Sequence, residues 1–304
     1  MEKRYRLFSD HLKKRFGGRV HKISVDAGFT CPNREGGRER PGCLFCDPSG
    51  SGAVGIERSE SVAAQIERGK EVMTRKYKAK QFIAYFQPFS NTNAPLPHLR
   101  QLYDEALSVD KVVGMAVGTR PDCLEEPVLD LLAEYHRRTY FWLEIGLQSV
   151  HDSTLTWLRR GHDYQTFLTA YDAARQRGLQ VCVHVILGLP GESREMMLAT
   201  ADELARLQLP GVKLHLLHIL KGTPLGEMYA AGGMEVLSQE AYVDLVVDVL
   251  ERLPTQTLIH RLTGDGPRDL LLAPLWSLNK WEVLNAIDAE LGRRNSSQGG
   301  RSRF

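Results

Sequence analysis

Short apolar runs alternate with amphipathic stretches through the first 220 residues of the chain. Runs suited to strands cover Val20–Val25, Gln81–Phe86, Val112–Val117, Tyr140–Leu147, Leu179–Leu187 and Val212–Leu217. Between them lie Ser59–Tyr77, Pro95–Ser108, Glu125–Arg137, His151–Arg160 with Tyr164–Arg177, and Glu192–Leu207. These stretches carry apolar residues three and four apart, which gathers them on one face of a helix. Strands alternating with helices of this length predict right-handed βαβ units and a parallel sheet. Six such units are too few for a closed eight-stranded barrel. The pattern therefore predicts an α/β fold built as an open, partial (β/α)6 barrel.

After about residue 220 the rhythm changes. Ser238–Leu253 and Asn279–Leu291 read as helices, with a short strand at Thr257–Arg261 between them. The expected organisation is a helical lead-in over residues 1–19, the partial barrel over 20–220, and an extension over 221–292 closing one side of it. That extension is too short to own much of a core. The tail, 293–304, is polar, glycine-rich and basic, which predicts disorder.

Composition changes this picture little. With 42% hydrophobic and 25% charged residues, the chain reads as an ordinary soluble protein. A net charge of +2 neither demands nor excludes a nucleic-acid partner. No run of about eighteen apolar residues suits a membrane span. The start, Met-Glu-Lys-Arg-Tyr-Arg-Leu, has no apolar segment of a signal peptide. Free thiols in quantity then point to the cytoplasm.

The thiols carry the chemistry. Cys31, Cys43 and Cys46, three of the five cysteines, fall within sixteen residues, in a loop expected over 26–56 after the first strand. A disulfide framework wants an even count in a small secreted chain. Structural zinc wants four ligands, and here no fourth is near. An iron–sulfur cluster on three thiolates keeps one iron without a protein ligand, and an open position marks a reacting site. The competing assignment is a zinc knuckle completed by a distant histidine, His21 or His218, in an RNA-binding protein.

The loop resembles that of the radical SAM superfamily. The second gap, two residues with Phe45 before the last cysteine, is the usual one. The first gap of eleven residues departs from the superfamily spacing and is similar to the subgroup of the elongator catalytic subunit. Further motifs end successive strands in the order of that subgroup: Gly118-Thr119-Arg120-Pro121-Asp122, Glu144-Ile145-Gly146-Leu147-Gln148-Ser149 followed by Arg160, and Gly188-Leu189-Pro190-Gly191. The resemblance implies a [4Fe-4S] cluster on Cys31, Cys43 and Cys46, with S-adenosylmethionine (SAM) on the open iron. It implies one-electron reduction by a donor of flavodoxin or ferredoxin type, and a 5′-deoxyadenosyl radical that abstracts hydrogen from a substrate.

By the same resemblance, Gln148 would hold the SAM ribose and Arg160 the methionyl carboxylate. Phe45, Ile186 and Gly188 would lie about the adenine, and Gln87 and Asn91 would meet the ammonium. Glu144, in an otherwise apolar strand, needs a partner to stay charged. It belongs either to the SAM site or to a buried Glu144–Arg160 pair of purely architectural use. Arg120 and Asp122 could pin their loop and cap the next helix. Arg261 and Asp265 resemble a pair at the barrel mouth and are candidates to face the substrate. His215 and His218, three apart, would face opposite sides of a strand and cannot share a metal. The modest charge favours a small or protein-bound substrate, with tRNA as the alternative. Neither a phosphate loop, a Ser-His-Asp constellation nor a dinucleotide fingerprint supplies another chemistry.

Overall fold

The computed structural model describes residues 3–34, 42–50, 60–264 and 266–302. In chain order these residues form α1 (Phe8–Phe16), β1 (Val20–Val25), α2 (Val62–Tyr77), β2 (Gln81–Phe86), α3 (Leu96–Ser108) and β3 (Val112–Thr119). They continue with α4 (Glu126–Arg138), β4 (Tyr140–Gln148), α5 (Asp152–Trp157), α6 (Tyr164–Gln176), β5 (Val181–Leu187) and α7 (Arg194–Arg206). The remainder is β6 (Gly211–Leu216), β7 (Ile219–Leu220), α8 (Pro224–Ala230), α9 (Gln239–Arg252), β8 (Leu258–Arg261), β9 (Leu271–Ala273) and α10 (Lys280–Arg293).

One curled sheet runs β1-β2-β3-β4-β5-β6-β8, with every neighbour parallel. The expected partial barrel is therefore present, and the short strand of the extension adds a seventh member, β8. The bond from Ile259 N–H to the Arg6 carbonyl, at 2.8 Å, ties the chain before α1 to β8, which would otherwise be a bare edge. Serine or aspartate side chains, Ser61, Asp163, Ser193 and Ser238, cap α2, α6, α7 and α9 by accepting an early backbone N–H.

Alternation along the strands sorts the side chains into two layers. Ile23, Val25, Phe86, Val117, Leu143, Val183 and Leu214 pack outward against the helices in the main core. Val20, Ile83, Tyr85, Ala116, Trp142, Cys182 and Leu258 face inward, where Phe8 and Leu12 of α1 plug the N-terminal end of the barrel. Farther along the strands the inward positions turn polar, and the apolar plug gives way to a site.

The described part of the tail, residues 293–302, departs from expectation, and 303–304 lie outside the described residues. Gln298 is buried, donating to the carbonyls of Pro254 and Thr257 and accepting from Arg6 N–H. Arg294 pairs with Asp244, Asp248, Glu251 and Glu290, and Arg301 with Glu251. Polar composition predicted disorder, but acids on α9 and α10 hold the basic groups in place. Among the described residues no helix is long and apolar enough to cross a membrane.

Candidate active site

The cysteine loop leaves the C-terminal end of β1; its stretches 35–41 and 51–56 lie outside the described residues. Cys31 precedes a 3-10 turn, Pro32–Arg34, in which Arg34 N–H donates to the Cys31 carbonyl at 2.8 Å. Buried Arg34 donates to the Cys46 Sγ at 3.0 Å and to the Asp47 carbonyl at 2.6 Å. Asn33 Nδ2 lies 3.3 Å from Cys43 Sγ and also reaches the Arg159 carbonyl. Leu44 N–H donates to the Leu158 carbonyl, and Leu225 N–H to the Leu44 carbonyl. The loop is thus anchored to the segment after α5 and to the start of α8.

Arg160 enters from the β4 side. Its guanidinium donates to Cys43 Sγ at 3.2 Å and to the Gly146 carbonyl at 2.7 Å. A Cβ at Gly146 would stand 2.9 Å from Gln148 Nε2 and 3.4 Å from the Arg160 guanidinium, so glycine is what lets both side chains approach. Gly161 has φ +69°, and a Cβ there would collide with Asn33. Gln148 itself has φ +79°, at a register shift between β4 and β5. Such strain in a glutamine is uncommon and gathers at ligand sites. The Gln148 amide makes no hydrogen bond among the described residues.

Charge follows from this packing. Burial pushes the Cys43 thiol up, but Arg160 and Arg120, with the bonds from Arg160 and Asn33, overcome it and leave the pKa lowered. At Cys46 burial prevails over Arg34, and the thiol is pushed up to about 11. Arg120 forms a two-point ion pair with Asp122 at 2.9 and 2.7 Å. Asp122 therefore pins the loop; the α4 cap position is Glu125, without a side-chain bond. Both Arg120 Nη1 and Arg160 Nε are buried with no hydrogen-bond partner.

The remaining expected residues separate into two groups. Ile186 lies in an apolar cluster with Leu44, Leu158 and Leu189, against which Phe45 packs, and Gly188 follows with φ +84°. Asn91 is fully buried and locks its turn, its amide donating to the Gly118 carbonyl at 2.7 Å, while its Oδ1 has no partner. Gln87 accepts from the Ser24 hydroxyl at 2.8 Å, on the β1–β2 side.

Glu144 stands apart from Arg160, and the buried Glu144–Arg160 pair is not formed. Two residues earlier on β4 than Gly146, its carboxylate meets Lys22 from β1, Lys213 from β6 at 2.7 Å, and His184 from β5 at 2.7 Å. Lys213 also donates to the Tyr85 hydroxyl at 2.9 Å. Burial opposes the charge, but Lys213 and Lys22 hold the carboxyl well below its ordinary range. Burial takes His184 down to about 4, His260 to about 3 and Lys213 to about 8. Lys22 and Lys213 were not foreseen. The signal was there in Val212-Lys213-Leu214-His215-Leu216, where polar residues alternate onto the inward face.

Arg261 ends β8 in register with Lys213. Asp265 lies outside the described residues. His215 ends the inward row of β6, with its ring 5.2 Å from that of His184, whereas His218 falls beyond the strand. His21 stacks on Tyr77 at 4.5 Å near the start of β1, at the strand end opposite the cysteine loop. Cys123 and Cys182 are both buried, and Cys182 belongs to the apolar plug.

Residues 30–204 match the model of the radical SAM superfamily, and residues 209–293 that of the radical SAM C-terminal domain. The chain belongs to the radical SAM superfamily. It is 47% identical to "Uncharacterized protein YtqA" of Bacillus subtilis over 98% of this chain and 92% of that one. It is 31% identical to Elongator complex protein 3 of Danio rerio over 60% of this chain and 33% of that one. Among solved structures, the archaeal Elp3 of Methanocaldococcus infernus superposes with a TM-score of 0.67 at 16% identity. That match covers 92% of this chain and 64% of the Elp3 chain, and it shows the shared fold. This radical SAM enzyme is thus elongator-like across its barrel.

The residues present fit the cofactors of the superfamily. Three thiols ringed by Arg34, Arg120 and Arg160 suit an anionic cluster, and the orphaned guanidinium atoms beside Cys43 suit a carboxylate. No three His, Cys, Asp or Glu side chains among the described residues stand in the geometry of a single bound ion. A cluster does not require that geometry, because its thiolates bind separate irons.

Proposed function

We propose that this radical SAM enzyme holds a [4Fe-4S] cluster on Cys31, Cys43 and Cys46 and binds SAM between the cysteine loop and the end of β4. The observation carrying this reading is the pair of buried, unpartnered guanidinium atoms on Arg120 and Arg160 around Cys43. A buried donor without a partner costs about 1–3 kcal/mol, more when charged, and a bound anion removes that cost. Arg160 would take the methionyl carboxylate and the free Gln148 amide the ribose diol. Phe45 and Ile186 would enclose the adenine and exclude water, with Gly188 letting the backbone pass close. Asn91 and Gln87 border the β1–β3 side, where the Asn91 Oδ1 offers an acceptor to the ammonium. When bound, the cofactors supply one-electron cleavage of SAM to methionine and a 5′-deoxyadenosyl radical that takes hydrogen from the substrate.

The substrate approaches the concave face of the barrel, where Arg261 is the described candidate for contact. A small or protein-bound substrate suits this chain better than tRNA, because the basic groups Arg294 and Arg301 are spent on internal ion pairs. The cofactor reading is tested by supplying the reconstituted protein with dithionite and SAM under anaerobic conditions. Methionine and 5′-deoxyadenosine should form together. A protein with full cluster that forms neither overturns it.

A further inference from the structure

We propose that the concave face beneath the SAM site binds an anionic group of the substrate, a carboxylate or phosphate, between Lys22, Lys213 and Arg261. The inference rests on the reading of this barrel as a radical SAM active site and adds the chemical class of what enters it.

Among the described residues, Lys22, Lys213 and Arg261 bring three positive charges to this face, and Glu144 brings one negative charge. Glu144 is saturated: Lys22 takes one carboxylate oxygen, and Lys213 and His184 share the other. Arg261, near enough to Lys213, Tyr85 and His215 to act on each electrostatically, makes no ion pair or hydrogen bond among the described residues. Arg261 is half-buried, and drawing its charge away from water without compensation carries a cost.

The surrounding groups report the same positive field. Burial comes first in lowering His184, His215 and His260, and neighbouring cations add to it in all three. They are therefore neutral near pH 7 and donate no further charge. The face is not sealed from solvent: the side chains of Lys22 and His184 keep 18% and 16% of their surface. One register step above, His215 has a buried Nε2 with no partner. A neutral substrate would leave the excess charge as it stands, and a cationic one would increase it. An anion placed among Lys22, Lys213 and Arg261 neutralises it.

The test uses the full-length protein with reconstituted cluster and SAM, at constant ionic strength set with chloride. The thermal midpoint is measured as chloride is exchanged for malonate or for inorganic phosphate, with malonamide as the neutral probe. At least one anion should raise the midpoint by roughly 2 °C or more, malonamide should not, and the responding anion names the group. Arg261→Met and Lys22→Met should each abolish the rise, and Arg261→Lys should restore much of it. In chloride, Arg261→Met should be no less stable than the natural protein, since it removes an uncompensated charge. Iron content and SAM affinity, read separately in each protein, report on the cofactor site independently of the anion effect. No rise with either anion, or a rise that persists undiminished in both methionine variants, overturns the proposal.

Discussion

At the scale of single residues, the site depends on side chains that the barrel has buried but not satisfied. Arg160 bonds to Cys43 and to the Gly146 carbonyl and keeps a third donor unpartnered. Removing it with Arg160→Ala should weaken SAM binding by about 1.5–3 kcal/mol, the worth of a charge-assisted bond. Gln148→Ala should cost about 0.5–1.5 kcal/mol, as for a neutral bond. SAM titration into each reconstituted variant measures both, and iron analysis should show the cluster retained. The three cysteines stand out in the sequence by their local spacing, and Gln148 and Arg160 were named through the resemblance of their motif; the structure brings both side chains beside Gly146. The partner of Glu144 was not, because Lys22 and Lys213 come from strands 122 and 69 residues away in sequence. Only the register of the sheet brings the three together.

At the scale of elements, the end of β4 is the device that positions the SAM residues. Gly146→Ala would set a methyl group 2.9 Å from Gln148 Nε2. It should reduce SAM affinity while leaving the far-UV circular dichroism and the fold intact. Deeper in the same strand, Glu144→Gln leaves buried Lys213 and half-buried Lys22 without their carboxylate. It should destabilise the protein by about 3–5 kcal/mol, the cost of breaking a buried pair, measured by urea unfolding. The histidines beside it set an acid dependence. His184 and His260, with pKa values of about 4 and about 3 in the fold, would titrate near 6.5 when unfolded. The unfolded state therefore binds more protons below pH 6.5, and stability falls as pH drops from about 6.5 toward 4. Thermal midpoints over that range should decline, and His184→Gln should flatten the slope. The strands and long helices were legible from their periods. The β7–β9 pair was not, since two- and three-residue strands are too short to show one.

At the scale of the whole molecule, the C-terminal segment completes the barrel through β8, α9 and α10 and then clasps the N-terminal lead-in. Gln298 bonds to Arg6, Pro254 and Thr257, joining both ends of the chain to the turn before β8. Deleting residues 295–304 should lower the thermal midpoint by several degrees, yet change tRNA binding across a salt series little, because Arg301 is held by Glu251. Composition alone could not reveal this order, since it depends on acids of α9 and α10 meeting the tail in space. The central claim for the molecule is a cluster on Cys31, Cys43 and Cys46 with one iron left for SAM. Its most direct measurement is electron paramagnetic resonance of the reduced, anaerobically reconstituted protein with and without SAM, alongside iron analysis of each Cys→Ala variant. The reduced protein should show an iron–sulfur signal that SAM alters, lost in Cys31→Ala, Cys43→Ala and Cys46→Ala but kept in Cys123→Ala and Cys182→Ala. A colourless protein carrying zinc, or a cluster fully retained in Cys31→Ala, would contradict it.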